Sequence, residues 1–150
     1  MEKRADIIVE EVKEFSPSVK KDVIRLLEQI TVDAQELTDE HFQYLIGDPG
    51  THLYVAKRTE DGVIVAMATL VVYRIPYKMK AQIEDVIVDE EMRRKGVGKY
   101  IMNYAIEKAK EFGVKSLNLT SSPRKDIANK MYQNLGFKLR DTNAYRLDLE

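Results

Sequence analysis

Residues 51 to 89 contain three strand-like stretches in succession, and that run constrains the fold more than any other part of the chain. "THLYVAKR" and "VIVAMATLVVYR" flank "TEDG", whose Asp-Gly pair is a strong hairpin signal. After "IPYKMK", "AQIEDVIVD" predicts a third long strand. A sheet of this size needs apolar cover, and helical spacing supplies it on both sides of the run. Val19, Val23, Leu26, Leu27 and Ile30 mark a helix from Pro17 to Ile30, and Thr38 caps a short one to Ile46. Val97, Ile101, Met102, Ala105, Ile106, Ala109 and Phe112 mark another, beginning near Gly98 and closing at Gly113.

An opening strand at residues 5 to 12, a strand in "VKSLNLTSS", and a helix opened by Ser122-Pro123 and ended by Gly136 extend the pattern. "FKLR" and "AYRLDLE" read as two closing strands. The predicted order is strand, two helices, three strands, helix, strand, helix, two strands. That order gives a mixed sheet covered by helices, of the α/β or α+β kind. With 150 residues, 44% of them hydrophobic, residues 1–150 are expected to form a single domain.

Charge narrows the function classes. The 24 basic and 25 acidic side chains leave a net charge of -1, without the basic excess that nucleic acids or anionic membranes require. Cysteine is absent, which excludes thiolate nucleophiles and sulfur-ligated metals. His41 and His52 are isolated from each other and from any tight carboxylate cluster, so no metal is expected. No run of about 18 apolar residues occurs, and the charged start has no signal-peptide character, so the expected location is the cytoplasm.

Against this neutral background "DEEMRRKGVGKY", residues 89 to 100, stands out. It places Arg93, Arg94, Lys95 and Lys99 at the positive end of a helix, where an anion is favoured by about 0.3–1 kcal/mol per charge. Two nucleotide-binding patterns fail here. A dinucleotide fingerprint needs glycine where Ile101 stands, and a P-loop needs glycine at Arg93 and Ser or Thr at Tyr100. What remains is the general device of glycines that let backbone N–H groups approach a phosphate, with cations beside them. The plain alternative is a turn whose cations are solvated next to Asp89, Glu90 and Glu91.

The stretch "VIVDEEMRRKGVGKYIMNYAIEKAKEFG" resembles motif A of the GNAT superfamily of N-acetyltransferases, whose pattern is met by Arg93, Gly96 and Gly98. Downstream, "ANKMYQNLGFKLR" resembles motif B, with a tyrosine four residues before a Gly-Phe pair. The resemblance covers about residues 50 to 149. It implies a mostly antiparallel sheet of about 6–7 strands with about four helices, splayed between the strands at 81–88 and 114–120. It also implies acetyl-CoA as co-substrate, the pantetheine arm lying along the backbone of Val86, Ile87 and Val88. The pyrophosphate would rest on the N–H groups from Arg94 through Lys95, Gly96, Val97 and Gly98 to Lys99.

By the same resemblance Tyr132 is the candidate acid. A tyrosine near pKa 10 is protonated at neutral pH and can supply the proton a thiolate leaving group needs. An attacking amine must be neutral, so a base is required. Glu84 and Asp85 are the candidates because carboxylates seldom occupy an apolar strand unless paired or used. Alternation would put Glu84 with Val86 and Val88 on one face, and Asp85 with Ile83 and Ile87 on the other. One departure from the family pattern is Lys125, which stands where many members place an asparagine. Asn129 could replace that contact, and Arg124, in "SSPRKDIAN", could reach a CoA phosphate.

The acceptor implied is an amine. Residues 17 to 46 and 74 to 80 usually shape its site, and here they bring Asp33, Glu36, Asp39, Glu40, Tyr44, Tyr77 and the adjoining Tyr73. A rival from another class is a non-catalytic acyl-CoA-binding sensor, although retention of Tyr132 and of Glu84 with Asp85 argues for catalysis. The alternating C-terminal "AYRLDLE" suits strand pairing in a homodimer.

Overall fold

The computed structural model describes residues 2–150 apart from the side chain of Gln35. The chain divides into two compact units, one reaching to Thr120 and the other spanning Ser121–Glu150. In the first, β1 (Ile7–Glu11), α1 (Pro17–Leu27), α2 (Asp39–Gly47), β2 (Thr51–Arg58), β3 (Ile64–Ile75), β4 (Lys78–Val88), α3 (Val97–Glu111) and β5 (Leu117–Asn118) follow in that order. Short 3-10 turns occupy Val32–Glu36 and Glu90–Met92. The second unit holds α4 (Asp126–Asn134).

The five strands lie side by side in chain order. Pairing from β1 through β4 is antiparallel, and β4 meets β5 in parallel. Local chemistry sets both hairpins. At the first, Gly62 takes φ 72, the Asp61 carboxylate accepts the Val63 N–H at 3.1 Å, and Arg58 pairs with Asp61 at 2.7 Å. At the second, Pro76 and Tyr77 alone join Ile75 to its partner Lys78. "IPYKMK" is therefore a two-residue turn and the start of β4, where a longer loop was expected. Lys80 and Met79 pair with Tyr73 and Arg74, and the Lys80 ammonium lies 5.7 Å from the Tyr73 ring centre, so cross-strand contacts carry the ladder through these polar residues.

Alternation divides the core. On one face Leu53, Val55, Ile64, Met67 and Ile87 pack against Val23 and Leu26 of α1 and Phe42 of α2. On the other, Tyr54 meets Tyr104 of α3 edge to face at 5.2 Å. Val97, Ile101, Met102, Ala105 and Ala109 are the buried residues of α3. Each large apolar side chain so buried contributes about 1.5–3 kcal/mol.

One irregularity matters for function. Met67 faces Ile87 while Thr69 faces Glu84, so Asp85 and Val86 of β4 together lie opposite Ala68. The extra residue makes a β-bulge, and Asp85 sits in the left-handed region at φ 50, a conformation Asp tolerates better than most residues. Simple alternation fails across it. Glu84 shares a face with Thr69, Met67 and Ile87, where it had been expected to share one with Val86 and Val88.

Boundaries also differ from the sequence expectation. Helix α1 stops at Leu27, three residues before Ile30. Helix α4 begins at Asp126, because Ser122 and Pro123 form a separate turn in which Lys125 N–H donates to the Ser122 carbonyl at 3.0 Å. Strand β5 is limited to Leu117 and Asn118, which pair with Ala81 and Gln82. From Ile83 onward the β5-facing edge of β4 has no ladder partner among the described residues, which is the splay expected between 81–88 and 114–120. The sheet has five strands where six or seven were expected, since "FKLR" and "AYRLDLE" form no ladder among the described residues. Alternation gives a segment two faces, but a strand also needs a partner for its backbone.

The end of β4 is pinned by a largely buried carboxylate. Asp89 is 7% exposed, pairs with Arg25 of α1, and accepts from Gln29 Nε2 at 3.5 Å. Arg25 also donates to the Ile64 carbonyl at 2.6 Å. Burial resists ionisation of Asp89, but the Arg25 hydrogen bond and charge outweigh it and hold the carboxyl below its usual range. A lowered folded-state pKa means stability that is present above the unfolded value of about 3.9 and lost as pH falls through the folded value. Asp89→Asn should therefore cost about 1–3 kcal/mol at neutral pH. In denaturant titrations the gap between variant and parent should close as the medium is acidified below that unfolded value.

Candidate functional site

Helix α3 begins without a cap. Its N-cap is Gly96, at φ 76, which offers no side chain to accept an N–H, and its first turn contains no acidic residue. Contrast α2, where the Thr38 hydroxyl accepts from His41 N–H at 3.1 Å and Asp39 and Glu40 occupy the first turn. The N–H groups of Val97, Gly98 and Lys99 cannot find partners inside their own helix. Among the described residues they donate to no backbone carbonyl or side chain. Val97 and Ile101 are buried and root the turn, while residues 93–96 and Lys99 are exposed.

The cations, too, lack acidic partners. Asp89 is taken by Arg25 and Glu91 by Arg58 at 3.0 Å. Among the described residues, none of Arg93, Arg94, Lys95 and Lys99 forms an ion pair. Two of the three acids that the solvated-turn reading would have used, Asp89 and Glu91, thus point to other partners, and exposed Glu90 pairs with none of the cations. Arg94 adopts φ 64, so two left-handed residues, Arg94 and Gly96, bracket Lys95 and shape a concave turn of backbone. Arg93 folds back, its Nε donating to the Val88 carbonyl at 3.2 Å. An anion at this place would find free N–H donors, three exposed cations in Arg94, Lys95 and Lys99, and a favourable helix dipole.

In the same unit β4, the strand that leads into this loop, presents the rest of the predicted first half of the site. Val86, Ile87 and Val88 lie on the stretch whose β5-facing edge is unpaired, with Ile87 buried and its neighbours half-buried. Glu84 is half-buried and its carboxylate accepts from Gln82 Nε2, which orients it on the face of α1 and α2. Asp85 is exposed on the bulge. Several residues expected around the acceptor are engaged elsewhere: Asp39 with Lys20 at 2.5 Å, and the Tyr73 and Tyr77 rings with Lys80 and Lys78.

The second unit carries Arg124, Asn129 and Tyr132. Arg124 is exposed in the turn before α4. Asn129 Nδ2 donates to the Ser122 carbonyl at 2.9 Å, so that amide closes the turn. Tyr132 is positioned by the end of its helix. Phe137 N–H donates to the Tyr132 carbonyl and Gly136 N–H to that of Gln133, both at 3.0 Å, with Gly136 at φ 99. These are the paired bonds of a Schellman motif, and the apolar contact that accompanies it is the Phe137 ring edge-on to Tyr132 at 6.0 Å. Burial raises the Tyr132 pKa, so the phenol is protonated throughout the neutral range. The spacing of tyrosine, glycine and phenylalanine thus has a geometric cause.

A sequence model of the Acetyltransferase (GNAT) family matches residues 20–137. The chain belongs to that family. Solved structures agree on the fold of this GNAT protein. An aminoglycoside acetyltransferase from an uncultured soil metagenomic sample superimposes with TM-score 0.82 at 22% identity, over 96% of this chain and 97% of that one. Glucosamine-6-phosphate N-acetyltransferase from Arabidopsis thaliana gives 0.74 at 22% identity, over 94% and 97%. A protein described as a transcriptional regulator from Bacillus halodurans C-125 gives 0.78 at 23% identity, over 95% and 99%.

Sequence reasoning missed two features of this region. The bulge at Asp85 leaves no local signature beyond an Asp in an apolar strand, and the contact of Arg4 with the loop spans 91 positions of sequence. Gly96→Ala should place a Cβ in the left-handed region and destabilise the fold by about 1 kcal/mol. A melting point lower by about 2–4 °C would register that strain in a chain of this length.

Proposed function

We propose that this protein transfers the acetyl group of acetyl-CoA to a primary amine by direct attack within a ternary complex. The observation that carries the reading is the start of α3, where uncapped N–H groups and unpaired cations meet at the motif A glycines. Family membership makes acetyl-CoA the anion of choice. Val97, Gly98 and Lys99 would donate backbone N–H groups to the pyrophosphate, with Arg94, Lys95 and Lys99 adding charge. The edge of Val86 to Val88, which β5 does not pair and where Arg93 holds the Val88 carbonyl, would take the pantetheine amides at its remaining groups as a neighbouring strand would.

The chemistry needs one proton removed and one supplied. The amine nitrogen attacks the thioester carbonyl as a neutral base, and Glu84, oriented by Gln82, receives its proton directly or through water. Asp85 is explained by the bulge it occupies, so Glu84 is the better candidate. As the C–S bond breaks, the Tyr132 hydroxyl gives its proton to the departing sulfur. Burial raises the pKa of this phenol, so passing its proton to the sulfur of a thiol is uphill, a cost the reaction meets within its barrier.

The acceptors in the names of two similar structures, an aminoglycoside and glucosamine-6-phosphate, both bear amino groups, which supports an amine here. Because the chain has no cysteine, a thiol reagent reads only the CoA released during turnover. A panel of amino sugars, amino acids and peptide amines assayed this way should reveal an acceptor. Tyr132→Phe should then lower kcat by about a hundredfold while leaving the calorimetric Kd for CoA nearly unchanged. Absence of both CoA binding and thiol release would refute the proposal.

A further inference from the structure

The segment before β1 reaches across the sheet to the loop that opens α3. Arg4 Nη1 donates to the Lys95 carbonyl at 2.7 Å, and its Nε and Nη2 hold the Asp6 carboxylate at 3.0 and 2.8 Å. The guanidinium carbon lies 5.8 Å from the Tyr100 ring centre, and the Arg4 N–H donates to the Tyr100 hydroxyl at 3.4 Å. The segment is itself tied down, since Thr59 of the first hairpin bonds the Asp6 carbonyl through its N–H and the Ala5 carbonyl through its hydroxyl, both at 3.0 Å. Arg4 is thus a fixed post against a loop that is otherwise exposed.

Peptide geometry gives this contact a direction. In a trans peptide the carbonyl of one residue and the N–H of the next point opposite ways, and the described residues contain no cis bond. With the Lys95 carbonyl turned to Arg4, the Gly96 N–H is turned away from it. An added Cβ on Gly96 would lie 3.5 Å from Arg4 Nη1, so the guanidinium packs directly behind this peptide. A cation on the carbonyl also polarises the amide and strengthens its N–H as a donor.

We propose that Arg4 is a positioning residue for the anion loop: it fixes the Lys95–Gly96 peptide so that the Gly96 N–H joins the donors offered to the CoA pyrophosphate. The proposal rests on the acetyl-CoA reading of this site. It assigns a role in cofactor affinity to a residue outside both sequence motifs that never needs to touch the ligand. Arginine is required because three of its nitrogens are used in two directions, which a lysine ammonium cannot reproduce.

Calorimetric binding of CoA to the full chain tests it, with parallel kinetics using acetyl-CoA and the S-acetylated pantetheine fragment, which lacks the pyrophosphate. Arg4→Gln and Arg4→Lys should each weaken CoA binding about tenfold and raise KM for acetyl-CoA in proportion, with kcat retained. Rates with the pantetheine fragment should be unchanged, an outcome that a general loosening of the fold would not give. In Arg4→Gln/Asp6→Asn the local charge is again balanced. Persistent weak binding there supports positioning, while recovery to parental affinity would show that the uncompensated Asp6 charge was the cause and overturn the proposal. Parental affinity in Arg4→Gln would overturn it outright while leaving the acetyltransferase reading intact. Failure of the unaltered chain to bind CoA would instead sink that reading, and this proposal with it.

Discussion

An α-helix cannot hydrogen-bond its own first N–H groups, and how a chain deals with that constraint decides what the helix end can do. In α2 the chain satisfies it internally with Thr38 and two acids. At α3 it supplies a glycine, removes the acids from the first turn and surrounds it with cations, while the nearby Asp89 and Glu91 are paired elsewhere. Folding this end without a ligand leaves donors and charges to water, a local cost that an anion offsets on binding. The buried anchor of α3 on the sheet and the Asp89–Arg25 pair at the end of β4 hold the turn in place from one side. From the other, Arg4 holds its backbone.

A single extra residue in β4 does comparable work on the adjoining strand. The bulge at Asp85 and Val86 reverses the faces of the strand, so that Glu84 points with Ile87 toward the layer of α1 and α2. Beyond Gln82 the edge toward β5 is released, leaving extended backbone that β5 does not fill. The same economy appears in the second unit, where one Schellman turn both ends α4 and sets Phe137 against the ring of Tyr132. In the first case a backbone irregularity turns a polar side chain to the other face, and in the second a helix end packs a ring against one.

Element order, the hairpin at Asp61-Gly62, the apolar stripe of α3 and the glycine turn before it were all legible in the sequence, because each depends on residues close in the chain. Tyr132, Gly136 and Phe137 were legible as a spacing, and that spacing is the geometry of a helix end. The closing strands were over-read: "FKLR" and "AYRLDLE" alternate as strands do, yet alternation specifies faces and says nothing of a partner backbone. The facing of Glu84 was misjudged for a related reason, since a bulge is defined by the register between two strands and is invisible in either one alone.

The sequence by itself determined where the chain would turn, which faces would be apolar and which stretch would gather cations beside glycines, since periodicity and local backbone preference act over a few residues. Tertiary structure alone decided which of those cations remained unpaired, which carboxylate faced which layer, and that Arg4 would stand behind the Lys95–Gly96 peptide. Those outcomes depend on distances between residues far apart in sequence, and only packing of the sheet and its helices sets such distances.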